Sequence, residues 1–254
     1  MMNPPILPEE RRLLDLLEDY YRDGFRRPHP EQDRQPAGEA RPGEAGTAGE
    51  PRPAGEPQLA GMPRPAEMDP GARLEAVARE VAACQRCVLH RGRRRTVPGE
   101  GVLNPRVLVV GEGPGAEEDA TGRPFVGKAG QYLDRWLKAI DLDRKVNCFI
   151  ANIVKCRPPG NRDPLPEESA ACLPYLREQI AILQPKAILA VGRIAAQVLT
   201  GRAAGIGELR SRQYTFGDIP LVVTYHPSAV LRDPSLRAPV WEDLKRLNAL
   251  LGHA

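Results

Sequence analysis

Four of the five cysteines in this chain fall as a spaced set. Cys84 and Cys87 are separated by two residues, and Cys156 and Cys172 by fifteen. Two close thiolates from one loop, joined by two from elsewhere, can enclose a tetrahedral metal or a [4Fe-4S] cluster, although ordinary buried cysteines could give the same spacing. Cys148 lies inside an apolar strand pattern and reads as core. A second group is dispersed in sequence but alike in setting: Glu112, Asn152 and His226 each stand at the end of an apolar run. A carboxylate, an amide and an imidazole around one glycine-lined pocket suit the reading of a polar ring and the stabilisation of a leaving anion. Gly113 and its neighbours let a ligand approach the backbone, because no Cβ stands in the way. Phe125 sits in a loop flanked by glycine and proline, where stacking on a flat ligand competes with simple loop anchoring.

The elements that must position these residues alternate in type. Val107 to Val110, ended by Gly111-Glu112-Gly113-Pro114-Gly115, reads as a buried strand delivering a loop at its carboxyl end, where ligand sites form in open α/β sheets. Further strands are expected over Val146 to Val154, Ala187 to Gly192 and Ile219 to Thr224. Helices are expected over Ala72 to Ala83, Ala129 to Ile140, Pro166 to Leu183, Ile194 to Leu199 and Trp241 to Leu251. This order implies a mostly parallel sheet with helices on both faces, a three-layer α/β/α arrangement. Gly122 to Ala129 nearly spells a phosphate-binding loop, but Ala129 supplies no hydroxyl for magnesium and the Glu117-Glu118-Asp119 run separates the segment from the strand. A nucleotide hydrolase is therefore disfavoured.

Composition divides the chain. From about Pro28 to Asp69 it is nearly all Pro, Gly, Ala, Glu and Arg, too poor in apolar residues to repay the entropy of ordering. The expected organisation is a short amphipathic helix within residues 1–27, a candidate docking segment for a partner's groove, then a disordered linker over 28–71 and one folded domain over 72–254. Residues 1–71 carry 9 Arg against 14 acidic residues, whereas residues 72–254 carry 27 basic against 19 acidic. A basic domain suits a polyanionic partner such as nucleic acid. No stretch approaches the roughly 18 apolar residues of a membrane span, and no secretory leader is evident, so a cytoplasmic location is expected. A monomer is expected as well.

The motifs Gly111-Glu112-Gly113-Pro114-Gly115, Gly122-Arg123-Pro124-Phe125-Val126-Gly127, Asn152 through Arg162, and His226-Pro227-Ser228 with Leu231-Arg232 together strongly resemble the family 4 uracil-DNA glycosylases. The resemblance covers nearly all of residues 74–250. It implies a central four-stranded parallel sheet and a [4Fe-4S] cluster held by Cys84, Cys87, Cys156 and Cys172. It also implies the hydrolytic removal of uracil from DNA, leaving an abasic site. Carried over by residue, Glu112 lies in the water-activating loop, Phe125 stacks on the flipped uracil, Asn152 pairs with its polar edge, and His226 donates to uracil O2. Gly113 belongs to the same pocket. Ser228 and the Leu231-Arg232 loop are expected on the DNA. Arg94, with Arg91, Arg93 and Arg95, is expected near the DNA backbone from its charge and adjacency to Cys87, and the helix within residues 1–27 is a candidate docking segment for a repair or replication protein. The rival readings are a DNA-binding module that has lost chemistry, a glycosylase of broader base range, and a four-cysteine zinc protein.

Overall fold

The computed structural model describes residues 69–252, so the expectations for residues 1–68 lie outside the described residues. In chain order the helices and strands are α1 (Pro70–Ala83), β1 (Glu100–Gly101), β2 (Val107–Gly111), α2 (Ala116–Thr121), α3 (Lys128–Ala139), β3 (Cys148–Asn152) and α4 (Pro166–Leu183). They continue with β4 (Ala187–Val191), α5 (Arg193–Thr200), α6 (Ile206–Arg210), β5 (Tyr214–Phe216), β6 (Ile219–Thr224), α7 (Pro227–Arg232) and α8 (Arg237–Gly252). Helix α1 starts two residues before the expected boundary because Asp69 caps it. The Asp69 carboxylate accepts from the amides of Gly71 and Ala72, and Pro70 opens the first turn, where its missing N–H costs nothing.

The sheet runs β1-β3-β2-β4-β6-β5. Its four inner strands are parallel, as expected, and two short antiparallel strands close the edges, making six rather than four. Those edge strands are two and three residues long, too short to show a period in the sequence. Every residue of β2, β3 and β4 is buried. Alternate side chains enter opposite cores: Leu108 and Val110 pack with α1, α4 and α5, while Val107 and Val109 pack with α3 and α8. A strand covered on both faces must be apolar at every position, which is why these segments read as continuous runs. Cys148 is one of these core positions.

Parallel register aligns the strand ends. Gly111 of β2 stands opposite Asn152 of β3, and Val191 of β4 opposite Thr224 of β6. The pairing continues past the strands, with the Val154 amide on the Glu112 carbonyl and the Gly192 amide on the Thr224 carbonyl. Glu112, Asn152 and the segment leading to His226 therefore emerge along one edge. No helix among the described residues is long and apolar enough to cross a membrane.

Candidate active site

A cleft of about 560 Å³ opens at this edge, and it is lined by Glu112, Gly113, Phe125, Asn152, His226, Ser228 and Arg232, together with Arg162, Asp163 and Arg193. Asn152 is 1% exposed, and its Oδ1 has no hydrogen-bond partner. A buried acceptor left unpaired costs about 1–3 kcal/mol. That cost is recovered when a donor enters the cleft. Gly111 makes room for this amide, since a Cβ there would lie 2.5 Å from both Asn152 Oδ1 and the Phe125 ring. A Cβ on Gly113 would likewise meet Val154 Cγ2 at 2.7 Å.

Phe125 belongs to the core as well as to the cleft. Its side chain is 6% exposed, and its ring centroid is 5.8 Å from that of His226 with the planes 34° apart. Its backbone is left-handed at φ 51°, an uncommon state for an aromatic residue. Arg144 holds it there: Nη1 donates to the Pro124 carbonyl and Nη2 to the Phe125 carbonyl, with Asp134 completing the guanidinium's partners. Gly130 leaves space for that carbonyl, because a Cβ at Gly130 would lie 2.0 Å from it.

His226 precedes Pro227, the first residue of α7. The backbone amide of Ser228 donates to His226 Nδ1 at 3.2 Å, and the Ser228 hydroxyl lies 2.8 Å from the same nitrogen. Nδ1 is thereby an acceptor, so the ring proton of the neutral imidazole resides on Nε2. Burial, reinforced by Arg232 and opposed by Glu118, pulls the His226 pKa down to about 4. The ring is a neutral donor at physiological pH. Glu112 moves the other way. Burial and then the Asp163 carboxylate push it up to about 7, against the pull of Arg193, which is itself paired with Asp163.

Several expectations about the rim need correction. Leu231 and Arg232 form the last turn of α7 rather than a loop, because His226 caps a helix that Pro227 begins. Leu231 packs against the core beside α3 and α8, whereas Arg232 faces the cleft. Arg91, Arg94 and Arg95 are exposed, but Arg93 is not free for DNA. Its guanidinium donates to the Ala82 and Cys84 carbonyls and to Cys156 Sγ at 3.2 Å. Ser228 has its hydroxyl on His226. Sequence reasoning misses Glu118, whose carboxylate accepts from the amides of Gly115, Val126 and Gly127. In the sequence alone, the acidic run looks like nothing more than an interruption.

The four spaced cysteines converge on a second cavity, lined also by Arg93, Lys155 and Tyr175. Cys84 ends α1, Cys87 precedes a short turn, Cys156 follows β3, and Cys172 projects from α4. N–H groups approach three of the sulfurs: the Arg86 amide at Cys84, Arg93 at Cys156, and the Lys155 amide at Cys172. An all-sulfur donor set with N–H donors directed at it suits an iron–sulfur cluster. Among the described residues, no three Cys, His, Asp or Glu side chains converge closely enough to hold a single metal ion.

A sheet covered on both faces, with an unpartnered amide and a neutral imidazole at its strand ends, offers the acceptor and donor that a flat, polar ring would need. A family model for the uracil DNA glycosylase superfamily matches residues 98–245. A type-4 uracil-DNA glycosylase of Pyrobaculum aerophilum is 47% identical over 169 residues, which cover 63% of this chain and 86% of the relative. A type-4 uracil-DNA glycosylase of Thermotoga maritima is 42% identical over 179 residues, covering 69% and 93%. A type-5 uracil-DNA glycosylase of Pyrobaculum aerophilum is more distant, 35% identical over 154 residues and covering 53% and 66%. The chain belongs to the uracil DNA glycosylase superfamily and, within it, to the type-4 family.

Proposed function

We propose that this protein removes uracil from DNA by hydrolysing its N-glycosidic bond, and the observation that carries the reading is the buried, unpartnered Oδ1 of Asn152 in a cleft shared with Phe125 and His226. A base inside a duplex hides its glycosidic bond, so the nucleotide must first be extruded. Uracil then presents N3–H to Asn152 Oδ1 and O4 to the amide nitrogen, with the Phe125 ring against its face. Cytosine presents a lone pair at N3 and an amino group at C4. It would leave the buried acceptor unmet and bring two donors together, which costs about 1–3 kcal/mol for each unpaired group.

The chemical step follows from the two perturbed groups. As the N1–C1′ bond breaks, its electron pair passes to the uracil ring, and the His226 Nε2–H meets the charge developing on O2. Glu112, ionised above about pH 7, accepts a proton from the water whose oxygen bonds to C1′. The products are uracil and an abasic site. Among the described residues, none lining the cleft is a lysine, so none of them places an amine to attack C1′, and strand cleavage is not expected. Cys84, Cys87, Cys156 and Cys172 would hold a [4Fe-4S] cluster, which supplies a structural clamp between α1, α4 and the segment after β3.

The test is single-turnover incubation with an end-labelled oligonucleotide carrying one uracil, in a single strand and opposite G or A, followed by alkali. Strand cleavage only after alkali, with free uracil released, is expected. Tight DNA binding without uracil release would replace the reading with a binding module. The Asn152→Asp variant is expected to lose most of its preference for uracil over cytosine, measured as the ratio of single-turnover rates.

A further inference from the structure

Only two residues separate Asn152 from Lys155, yet the first belongs to the base-reading cleft and the second lines the cysteine cavity. Lys155 is 1% exposed. Its Nζ donates to the Asn152 carbonyl at 2.9 Å and to Gln179 Oε1 at 2.7 Å, so both acceptors are neutral oxygens. Gln179 cannot turn away, because its Nε2 donates to the Pro98 carbonyl at 2.8 Å. The backbone of Lys155 is fixed as well: its amide donates to Cys172 Sγ at 3.3 Å, and its carbonyl accepts from the Val97 amide at 2.8 Å.

A buried ammonium held only by neutral oxygens is expensive, since a charge removed from water needs an opposite charge nearby. The four cysteines supply that charge once they bind iron as thiolates. The amine is thus placed between a site that becomes negative on loading and the backbone of the residue whose side chain meets the base. We propose that Lys155 is a positioning residue for uracil recognition, fixing Asn152 from behind and making the accuracy of base reading depend on occupancy of the cysteine site. This rests on the assignment of Asn152 as the uracil-reading amide.

Free uracil is the probe, because its binding reports the pocket without any chemical step. The Lys155→Met variant keeps the length and apolar stem of the side chain and removes its donors. Prepared with full iron content, checked by metal analysis and visible absorption, it is expected to bind uracil about tenfold more weakly, the loss of one charge-assisted hydrogen bond acting at a distance of one backbone unit. Its preference for uracil over cytosine is expected to fall in step, while affinity for an abasic oligonucleotide stays at the wild-type value. A purely structural lysine would lower the melting temperature and iron content but leave the uracil affinity of the loaded fraction unchanged, and that result would overturn the proposal. Should Lys155→Met fail to fold or to load, Lys155→Leu removes the same donors with a shorter apolar stem. Unchanged uracil affinity in the loaded fraction of that variant would equally overturn it. If the wild-type protein neither binds nor releases uracil, the functional reading itself fails; if it does both and the variants match it, only the bridge through Lys155 fails.

Discussion

Glu112 and His226 lie within one cleft, and their environments drive their protonation in opposite senses. A carboxyl at about 7 and an imidazole at about 4 give a base and a neutral donor that coexist from pH 7 upward. Single-turnover rates are therefore expected to rise with pH through about 7 and then level, with no histidine limb between pH 5 and 8. Glu112→Gln should abolish that rise and slow the reaction by about 10²–10⁴-fold. Both shifts also oppose folding, and their signs can be followed separately. The unfolded Glu112 carboxyl ionises near 4.5 and the folded one near 7, so its contribution to stability is lost as pH rises across that interval. The unfolded His226 protonates near 6.5 and the folded one near 4, so stability is lost as pH falls across that interval. Thermal unfolding at pH 8 should accordingly show Glu112→Gln more stable than wild type, with the difference vanishing near pH 4. The identities of Glu112, Asn152 and His226 could be read from their positions after apolar runs. The ring proton of His226 could not, because it is set by the backbone amide of Ser228, whose direction depends on Pro227 starting a helix.

At the scale of elements, the site depends on two loops that are held together by a helix of six residues. Glu118 projects from α2 and gathers the amides of Gly115, Val126 and Gly127 at 3.1, 2.8 and 2.9 Å. It links the loop bearing Glu112 to the loop bearing Phe125. Glu118→Gln replaces one acceptor oxygen with an amide that repels the same donors. It is expected to destabilise the protein by about 1–3 kcal/mol in a denaturant titration and to lower the single-turnover rate by more than this loss of stability removes folded protein. The long elements were legible because sheet strands covered on both faces are continuously apolar and because α4 starts with Pro166 and two glutamates. Helix α2 was not, since its sequence is charged and its apolar face is absent; tertiary hydrogen bonds decide its conformation. Helix α7 was hidden for a different reason. His226-Pro227-Ser228 looks like a turn, although proline at a first helical position is also a start signal.

Across the whole molecule, two groups of arginines bear on DNA binding: Arg162, Arg193 and Arg232 line the cleft, and Arg91, Arg94 and Arg95 are exposed on the segment after the first two cysteines. Replacing Arg91, Arg94 and Arg95 by alanine should reduce the slope of log K against log salt by about 0.7–0.9 for each phosphate that the protein no longer neutralises, measured by fluorescence anisotropy on unmodified DNA. Arg93 is left out because its loss would disturb Cys156. An unchanged slope would place the DNA elsewhere. The basic character of this domain was visible in composition, but not which arginine had been withdrawn to serve a sulfur. The register that sets Gly111 opposite Asn152 also determines how the molecule behaves in time. Asn152 closes a strand buried from end to end, and the amide of Ile153 just beyond it is bonded to the Gly111 carbonyl. Amides in such a position exchange with solvent only when the domain opens globally. The amide proposed to read the base is thus carried on backbone as well protected as the centre of the protein, so its main chain need not be ordered when a base arrives. The conformational work of recognition falls on the DNA, so the duplex steps that unstack most readily are the ones at which this pocket is filled first.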